Sequence, residues 1–113
     1  MKQGEIWEIN LRPTIGAEIK KKRPAVIIND DSIGILPLRV IVPITEWKDN
    51  FSGAIWMVRI EPDTQNRLLK ISAIDTFQIR SISTERFIKK IGHIPPDILT
   101  EIKTAVKAVI DAD

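Results

Sequence analysis

Short runs of β-branched residues, separated by turn signals, restrict the fold of this sequence more than any other feature. Val, Ile and Thr favour the pleated, half-buried environment of a sheet, and runs of this length are typical of strands. Five strands are predicted, within residues 4–11, 23–29, 38–45, 54–60 and 67–82, the last one bent near residues 72–75. Pro43 has no amide hydrogen to donate, so it must interrupt the ladder of the third strand or lie at an edge or bulge.

After Ser83 the apolar residues recur with the period of a helix. A short helix capped near Ser83 is expected to end at Gly92. Pro95-Pro96 then opens a longer helix, whose apolar residues recur at spacings of three and four as far as Ile110. We therefore expect an α+β, mainly β domain over residues 1–113. It should be a small, twisted, antiparallel SH3-like barrel with a short helix and a C-terminal helix.

The chain has no cysteine, which excludes disulfides, thiolate metal sites and cysteine nucleophiles. Its apolar runs are too short to span a membrane, and its N-terminus lacks the apolar core of a signal peptide, so the cytoplasm is the expected location. The net charge of +2 does not by itself indicate a nucleic-acid partner. Four consecutive cations, Lys20 to Arg23, nevertheless form a local basic patch.

The basic patch ends a long, polar segment between the first two predicted strands. This segment contains Pro13 and Gly16 and has no sustained period of either kind, so it is expected to be an exposed loop. Long loops in compact domains are often functional. The loop and the start of the second strand are therefore candidates for a binding site.

Several segments together resemble the MazF/PemK family of toxins in order and spacing, over nearly the whole chain. They are GEIWEINL, the loop residues Pro13 and Gly16-Ala17-Glu18, KKKRPAVIIN, VPIT, FQIRSIS and RFIKKIG. The resemblance implies a compact barrel related to that of CcdB toxins, pairing as a homodimer. It also implies cleavage of single-stranded RNA without a metal or other cofactor, and inhibition by a cognate antitoxin.

The resemblance also implies two catalytic residues, Arg23 in the Arg-Pro signature and Thr45 at the end of VPIT. The 2′-hydroxyl of RNA can act as the nucleophile, so the protein needs only to align it and to stabilise charge on the phosphate. Arg23 suits an electrostatic clamp better than a general base, because its pKa is too high. Thr45 can donate a proton to a phosphate oxygen. The two side chains should meet at one phosphodiester.

Other residues are expected to bind the RNA. Lys20, Lys21 and Lys22 would contact phosphates, and Gln78 could read the edge of an unpaired base. An exposed Trp47, Trp56 or Phe77 could stack a base. Tryptophans are more often core or interface anchors, Trp56 in its aliphatic run above all, so Trp47 is the only tryptophan kept in the predicted site.

Three further observations qualify the RNA site. Glu18 either orients Arg23 or a lysine, or only balances charge. Phe77 stands where many family members have an acidic residue, which affects the expected RNA sequence preference more than the chemistry. Asp30 and Asp31 are typical turn residues, and His93 lies in the Gly-His-Ile-Pro segment that connects two predicted helices. No metal site is therefore predicted.

Two rival functions remain. A CcdB-type toxin would bind gyrase and cut nothing, and a non-catalytic nucleic-acid-binding barrel would keep the lysines without needing Thr45. Arg23 before Pro24, together with Thr45, favours the nuclease. The expected antitoxin has an acidic, partly disordered C-terminal segment that folds on binding. DNA binding is expected only through the complex with the antitoxin.

Overall fold

Seven antiparallel strands and one long helix make up the fold in the computed structural model, which describes residues 1–13, 15–18 and 22–112. The strands are β1 (Glu5–Asn10), β2 (Lys22–Ile27), β3 (Leu38–Glu46), β4 (Met57–Ile60), β5 (Ser72–Asp75), β6 (Arg80–Ser83) and β7 (Phe87–His93). The helix, α1, spans Pro96–Val109. The predicted mainly β fold with a C-terminal helix is therefore confirmed. Within the described ranges, no helix is both long and apolar enough to cross a membrane.

The strands follow the order β4-β5-β3-β2-β1-β7, and β6 also pairs with β3. The sheet is twisted but not closed, since the order ends at β4 and β7 without a pairing between them. The expected barrel is therefore incomplete. Helix α1 packs beside β4 and covers that end of the sheet.

Pro43 lies where β3 changes its partner. One side of β3 pairs with β6 through Leu38–Ile41 and then with β5 from Ile44 onwards. Between these two ladders, Val42 and Pro43 have no partner on that side, although Pro43 lies opposite Ala25 of β2 on the other. A residue without an amide hydrogen fits this gap, so the predicted interruption is confirmed.

The predicted fifth strand is in fact two strands, β5 and β6. A 3-10 turn over Thr76–Gln78 separates them, and the Asp75 carboxylate caps it by accepting a hydrogen bond from the Phe77 amide at 3.1 Å. The strand also begins at Ser72, not at residue 67, because residues 67–71 belong to the preceding loop.

The predicted short helix before Gly92 is wrong. Only a 3-10 turn forms, over Thr84–Arg86, and it is followed by the seven-residue strand β7. β7 pairs with β1, and Phe87 packs edge-to-face against Trp7 with ring centroids 5.8 Å apart. Because β1 offers an edge that β2 does not pair, a strand over residues 87–93 satisfies more backbone groups by pairing with β1 than an isolated helical turn could.

Two apolar clusters lie on opposite faces of the sheet. Along β2, Val26 belongs to the cluster under α1, whereas Ala25 and Ile27 belong to the other. The first cluster contains Ile102 of α1, which is fully buried as the helical period predicts. Because both faces of the central strands are packed, the sheet holds the ends of β2 and β3 in fixed positions.

Glu5 connects the start of β1 with β7 and the N-terminus. Its carboxylate accepts hydrogen bonds from the Trp7 indole at 2.9 Å and from the Lys2 amide at 3.0 Å. It also forms ion pairs with Lys90 at 3.1 Å and with the N-terminal amine of Met1 at 3.6 Å. Burial raises the pKa of Glu5, but these hydrogen bonds and cations outweigh it and lower the pKa from 4.5 to about 2.

Replacing Glu5 with glutamine should therefore destabilise the fold in a pH-dependent way. A carboxylate with a lowered pKa stabilises the folded state fully above the unfolded pKa near 4.5, and this contribution is lost as the pH falls towards about 2. We expect Glu5→Gln to lower the free energy of unfolding by about 1 kcal/mol at neutral pH, after screening by solvent. The difference should shrink in acid, as measured by urea unfolding followed by tryptophan fluorescence.

Glu101→Gln on the exposed surface of α1 is the matched control and should change little. A difference between wild type and Glu5→Gln that stayed constant from neutral pH to below the unfolded pKa would contradict the assigned contacts of Glu5.

Candidate active site

The pairing of β2 with β3 brings Arg23 and Thr45 together. The described ladder ends at Ala25 opposite Pro43. Continuing the same register by two residues sets Arg23 opposite Thr45, and side chains two residues apart on a strand share a face. Just beyond the last described pair, Ala25 and Pro43, both half-buried side chains line an opening at the surface.

This opening is a cleft of about 490 Å³, lined by both Arg23 and Thr45, and we call it the Arg23–Thr45 cleft. Its other charged lining residues are the cations Arg67, Lys70 and Lys89 and the acids Glu8 and Glu46. Lys70 and Glu46 form an ion pair at 3.7 Å. Four cations against two carboxylates leave an excess of positive charge, which attracts an anionic ligand.

Four strands and one loop contribute these charges. Glu8 lies on β1 between Pro24 of β2 and Lys89 of β7, which are its direct neighbours in the two ladders. Lys89 therefore reaches the cleft only because residues 87–93 form a strand. Arg67 and Lys70 come from the loop between β4 and β5.

Sequence reasoning missed Arg67, Lys70 and Lys89 as members of the cleft. The preceding turn-forming run, residues 62–66, indicates a loop but not which surface it approaches. Lys89 was predicted to lie in a short helix, whereas it lies on strand β7. No motif connects these residues with Arg23, so only the tertiary structure identifies them.

Glu18 and Gln78 line a second cleft, of about 630 Å³, together with Arg80. Glu18 accepts a hydrogen bond from the Ile15 amide at 2.7 Å and lies 3.9 Å from the Arg80 guanidinium. Gln78 donates to the Asp75 carboxylate at 3.1 Å. The structure thus brings Glu18 together with Gln78 in what we call the Glu18–Gln78 cleft, and not with Arg23 in the first cleft.

The two clefts lie close together along β3. Pro43 lines the Glu18–Gln78 cleft, and Thr45, two residues further along the strand, lines the Arg23–Thr45 cleft. An extended ligand could contact both clefts at once.

Trp47 lies outside both clefts. It is half-buried, packs edge-to-face on Phe51 at 5.8 Å, and has the Arg59 guanidinium 5.8 Å from its ring centroid. Lys22 is exposed at the start of β2. Lys20 and Lys21 lie outside the described residues.

The acids at residues 30 and 31 serve the turn after β2. Asp30 caps the 3-10 turn Asp31–Ile33 by accepting a hydrogen bond from the Ser32 amide at 2.8 Å, and hydrogen bonding by Ser32 lowers the pKa of Asp30. His93 ends β7 and is exposed. Among the residues that the structure describes, no three His, Asp or Glu side chains are grouped closely enough to hold a metal ion.

The chemistry available in the Arg23–Thr45 cleft is that of anion binding. A guanidinium offers a planar fork of donors that matches two oxygens of a phosphate. The Thr45 hydroxyl adds a neutral donor from the neighbouring strand. Together with the surrounding lysines, these groups suit a phosphodiester with extra charge developing on phosphorus.

Known proteins match this chain over nearly its whole length. The endoribonuclease MazF9 of Mycobacterium tuberculosis is 30% identical over 117 residues, covering 98% of this chain and 97% of the relative. Among solved structures, MazF of Deinococcus radiodurans superposes with a TM-score of 0.80 at 20% identity, covering 98% of this chain and 96% of that one. The toxin MazF-mt6 of Mycobacterium tuberculosis gives a TM-score of 0.78 at 19% identity, covering 96% and 98%.

The family match extends over both strands that form the cleft and over all of β7. Residues 2–110 match the family described as "PemK-like, MazF-like toxin of type II toxin-antitoxin system". The chain therefore belongs to the PemK/MazF family of type II toxin–antitoxin toxins.

Proposed function

We propose that this toxin is a sequence-specific endoribonuclease that cleaves single-stranded messenger RNA without a metal ion. Residues 1–113 would act as one toxin domain. The observation that carries the proposal is the meeting of Arg23 and Thr45 in one half-buried cleft with excess positive charge. The relative with 30% identity, which is named an endoribonuclease, supports the same activity.

In the proposed reaction, the 2′-hydroxyl of the RNA attacks the adjacent phosphorus and expels the 5′-oxygen, and the proton lost by the 2′-hydroxyl is returned, directly or through water, to the 5′-oxygen. The products are a cyclic phosphate and a 5′-hydroxyl. Arg23 holds two phosphate oxygens and stabilises the charge that grows on them, while Thr45 donates its hydroxyl to a phosphate oxygen. Glu8 and Glu46 supply carboxylates in the same cleft that can accept the proton of the 2′-hydroxyl.

The Glu18–Gln78 cleft suits recognition of a neighbouring nucleotide. Gln78 has both a donor and an acceptor for a base edge, and the Arg80 guanidinium beside Glu18 can contact a phosphate. Lys20, Lys21 and Lys22 would add phosphate contacts from the loop before β2. Trp47 would stack a base through its accessible part, at the end of β3.

We further propose that the toxin acts in the cytoplasm as a homodimer, silenced by a cognate antitoxin. A Deinococcus radiodurans MazE–MazF structure and a mycobacterial endoribonuclease in complex with its cognate antitoxin both match this fold. An acidic, partly disordered segment of the antitoxin would cover the basic cleft and fold on binding. Binding to DNA would occur only through that complex.

Neither rival function has a specific observation in its favour. A gyrase-binding toxin needs a protein-binding surface, and it does not need a guanidinium and a hydroxyl at one cationic cleft. A non-catalytic RNA-binding module would need the cations but not Thr45.

The decisive experiment is cleavage of an unstructured, end-labelled RNA by purified protein in excess EDTA. We expect cleavage at a short, recurring sequence, with a cyclic phosphate on one product and a 5′-hydroxyl on the other, because the 2′-hydroxyl is the nucleophile. Replacing the ribose at the mapped position by deoxyribose should abolish the cut. Activity that disappears in EDTA, or a deoxyribose substrate that is still cut, would contradict the proposal.

A further inference from the structure

A third cleft adjoins the Arg23–Thr45 cleft and shares one cation with it. It has a volume of about 360 Å³ and lies between the β4–β5 loop and β7, and we call it the β7 cleft. Arg67 and Ile91 line both clefts, while Lys90 and His93 line only the β7 cleft. Arg67 therefore stands at the passage between them.

The backbone of Arg67 adopts a conformation that side chains rarely take. Its φ angle is +53°, in the left-handed region that favours glycine. A residue with a side chain persists there only where its surroundings hold it, and such residues concentrate at functional sites. Neighbouring residues must therefore hold the backbone of Arg67 in this conformation. A functional role of the side chain would explain why an arginine, and not a glycine, occupies the position.

Asn66 provides the supporting structure. Its side chain is fully buried, accepts hydrogen bonds from the amides of Asp63 and Leu68 at 3.0 and 2.9 Å, and donates to the Glu61 carbonyl at 2.8 Å. The loop also packs closely on β7, where the His93 amide donates to the Gln65 carbonyl at 3.1 Å. Residue 67 is therefore held in a fixed position.

The guanidinium of Arg67 has no partner among the residues that the structure describes. It is exposed and forms no hydrogen bond or ion pair with any residue in the described part of the chain, and the same is true of the Lys89 ammonium. Lys90, by contrast, is paired with Glu5 at 3.1 Å. Lysines on β7 also protect the exposed edge of the sheet from pairing, but an arginine in a loop does not serve that purpose.

We propose that the backbone of the RNA continues from the Arg23–Thr45 cleft over Arg67 into the β7 cleft, and that Arg67 binds a phosphate flanking the scissile one. This inference rests on the proposed ribonuclease function. The passage is lined by cations on both sides, and the fixed backbone at residue 67 keeps the exposed guanidinium beside the passage, where its planar fork can bind two phosphate oxygens. Arg67 thereby makes the toxin favour substrates that extend beyond the cleavage site.

The test compares Arg67→Gly and Arg67→Lys with wild type. Glycine removes the cation and suits the left-handed backbone, so its Tm should equal or exceed that of wild type. Lys107→Ala on α1, which removes one cation away from all three clefts, is the control. Each protein is assayed on a minimal cleavable RNA and on RNAs extended to either side of the mapped cut. Affinity is measured with the same RNAs carrying deoxyribose at that position.

For the RNA extended on one side, we expect Arg67→Gly to raise KM and Kd about tenfold, a clearly larger loss than on the minimal RNA, because only the extended RNA carries the flanking phosphate. Its plot of log Kd against log salt should lose a slope of about 0.7, the value for one phosphate of a single strand. Arg67→Lys should recover part of the affinity. Unchanged binding of every extended RNA by Arg67→Gly would overturn the inference, and so would an equal loss on minimal and extended RNAs. If wild type cuts no RNA at all, the proposed function itself fails.

Discussion

Replacing Arg23 with alanine is expected to lower kcat/KM for RNA cleavage by about 10³-fold or more, the usual cost of removing a group that stabilises transition-state charge. Arg23 lies in the cleft beside Thr45, two residues beyond the last described pair of β2 with β3. Its side chain is half-buried and is not part of either apolar cluster, so the fold should survive the change. Single-turnover cleavage of an end-labelled RNA measures the loss.

Companion variants separate charge from geometry. Arg23→Lys keeps the charge but loses the planar fork, so it should recover only a small part of the activity. Thr45→Val keeps the shape of the side chain and removes the hydroxyl, and it should cost about 10²-fold. Lys107→Ala, with the same change of charge on α1, should cut RNA like wild type. An Arg23→Ala protein with normal activity, an unchanged elution volume and an unchanged Tm would contradict the assigned role.

Local sequence patterns predicted those elements whose stability depends on their own residues. The period of three and four from Ile98 onwards identified α1, and the β-branched runs identified β2 and β3. For residues 87–93, apolar spacing was compatible with a helix, and the outcome depended on the unpaired edge of β1, which lies about eighty residues earlier in the chain. A pattern within seven residues contains no information about that edge.

The same limit applies to the site. Arg23 and Thr45 were identified through the family resemblance, and the register of β2 with β3 explains why residues 22 positions apart are neighbours. For Glu18 the sequence left open whether it orients Arg23 or a lysine or only balances charge, and in the structure it lies 3.9 Å from the Arg80 guanidinium. Arg67 could not be found at all, since its importance lies in a backbone angle and in two clefts that only the folded chain creates.

Gly92 controls how the loop that carries Arg67 and Lys70 is seated against β7. The residue is buried on the strand, opposite Ile6 of β1. A Cβ atom built there would overlap the backbone oxygen of Gln65 and lie 2.9 Å from that of Asn66. Backbone oxygens cannot rotate out of the way as side chains can, so the loop itself must move.

We therefore expect Gly92→Ala to lower the free energy of unfolding by about 3 kcal/mol and the Tm by about 10 °C, although alanine is intrinsically the better strand residue. Thermal unfolding measures the change. Gly34→Ala is the matched control, since Gly34 has a φ of −78° and a Cβ there would lie 3.1 Å from its nearest contact, the backbone oxygen of Asp31, so a shift of a few tenths of an ångström is enough to relieve the contact. Because the displaced loop contributes two cations to the Arg23–Thr45 cleft, the folded fraction of Gly92→Ala should also bind RNA more weakly. A Gly92→Ala protein as stable as Gly34→Ala would mean that the loop does not pack on β7 as described.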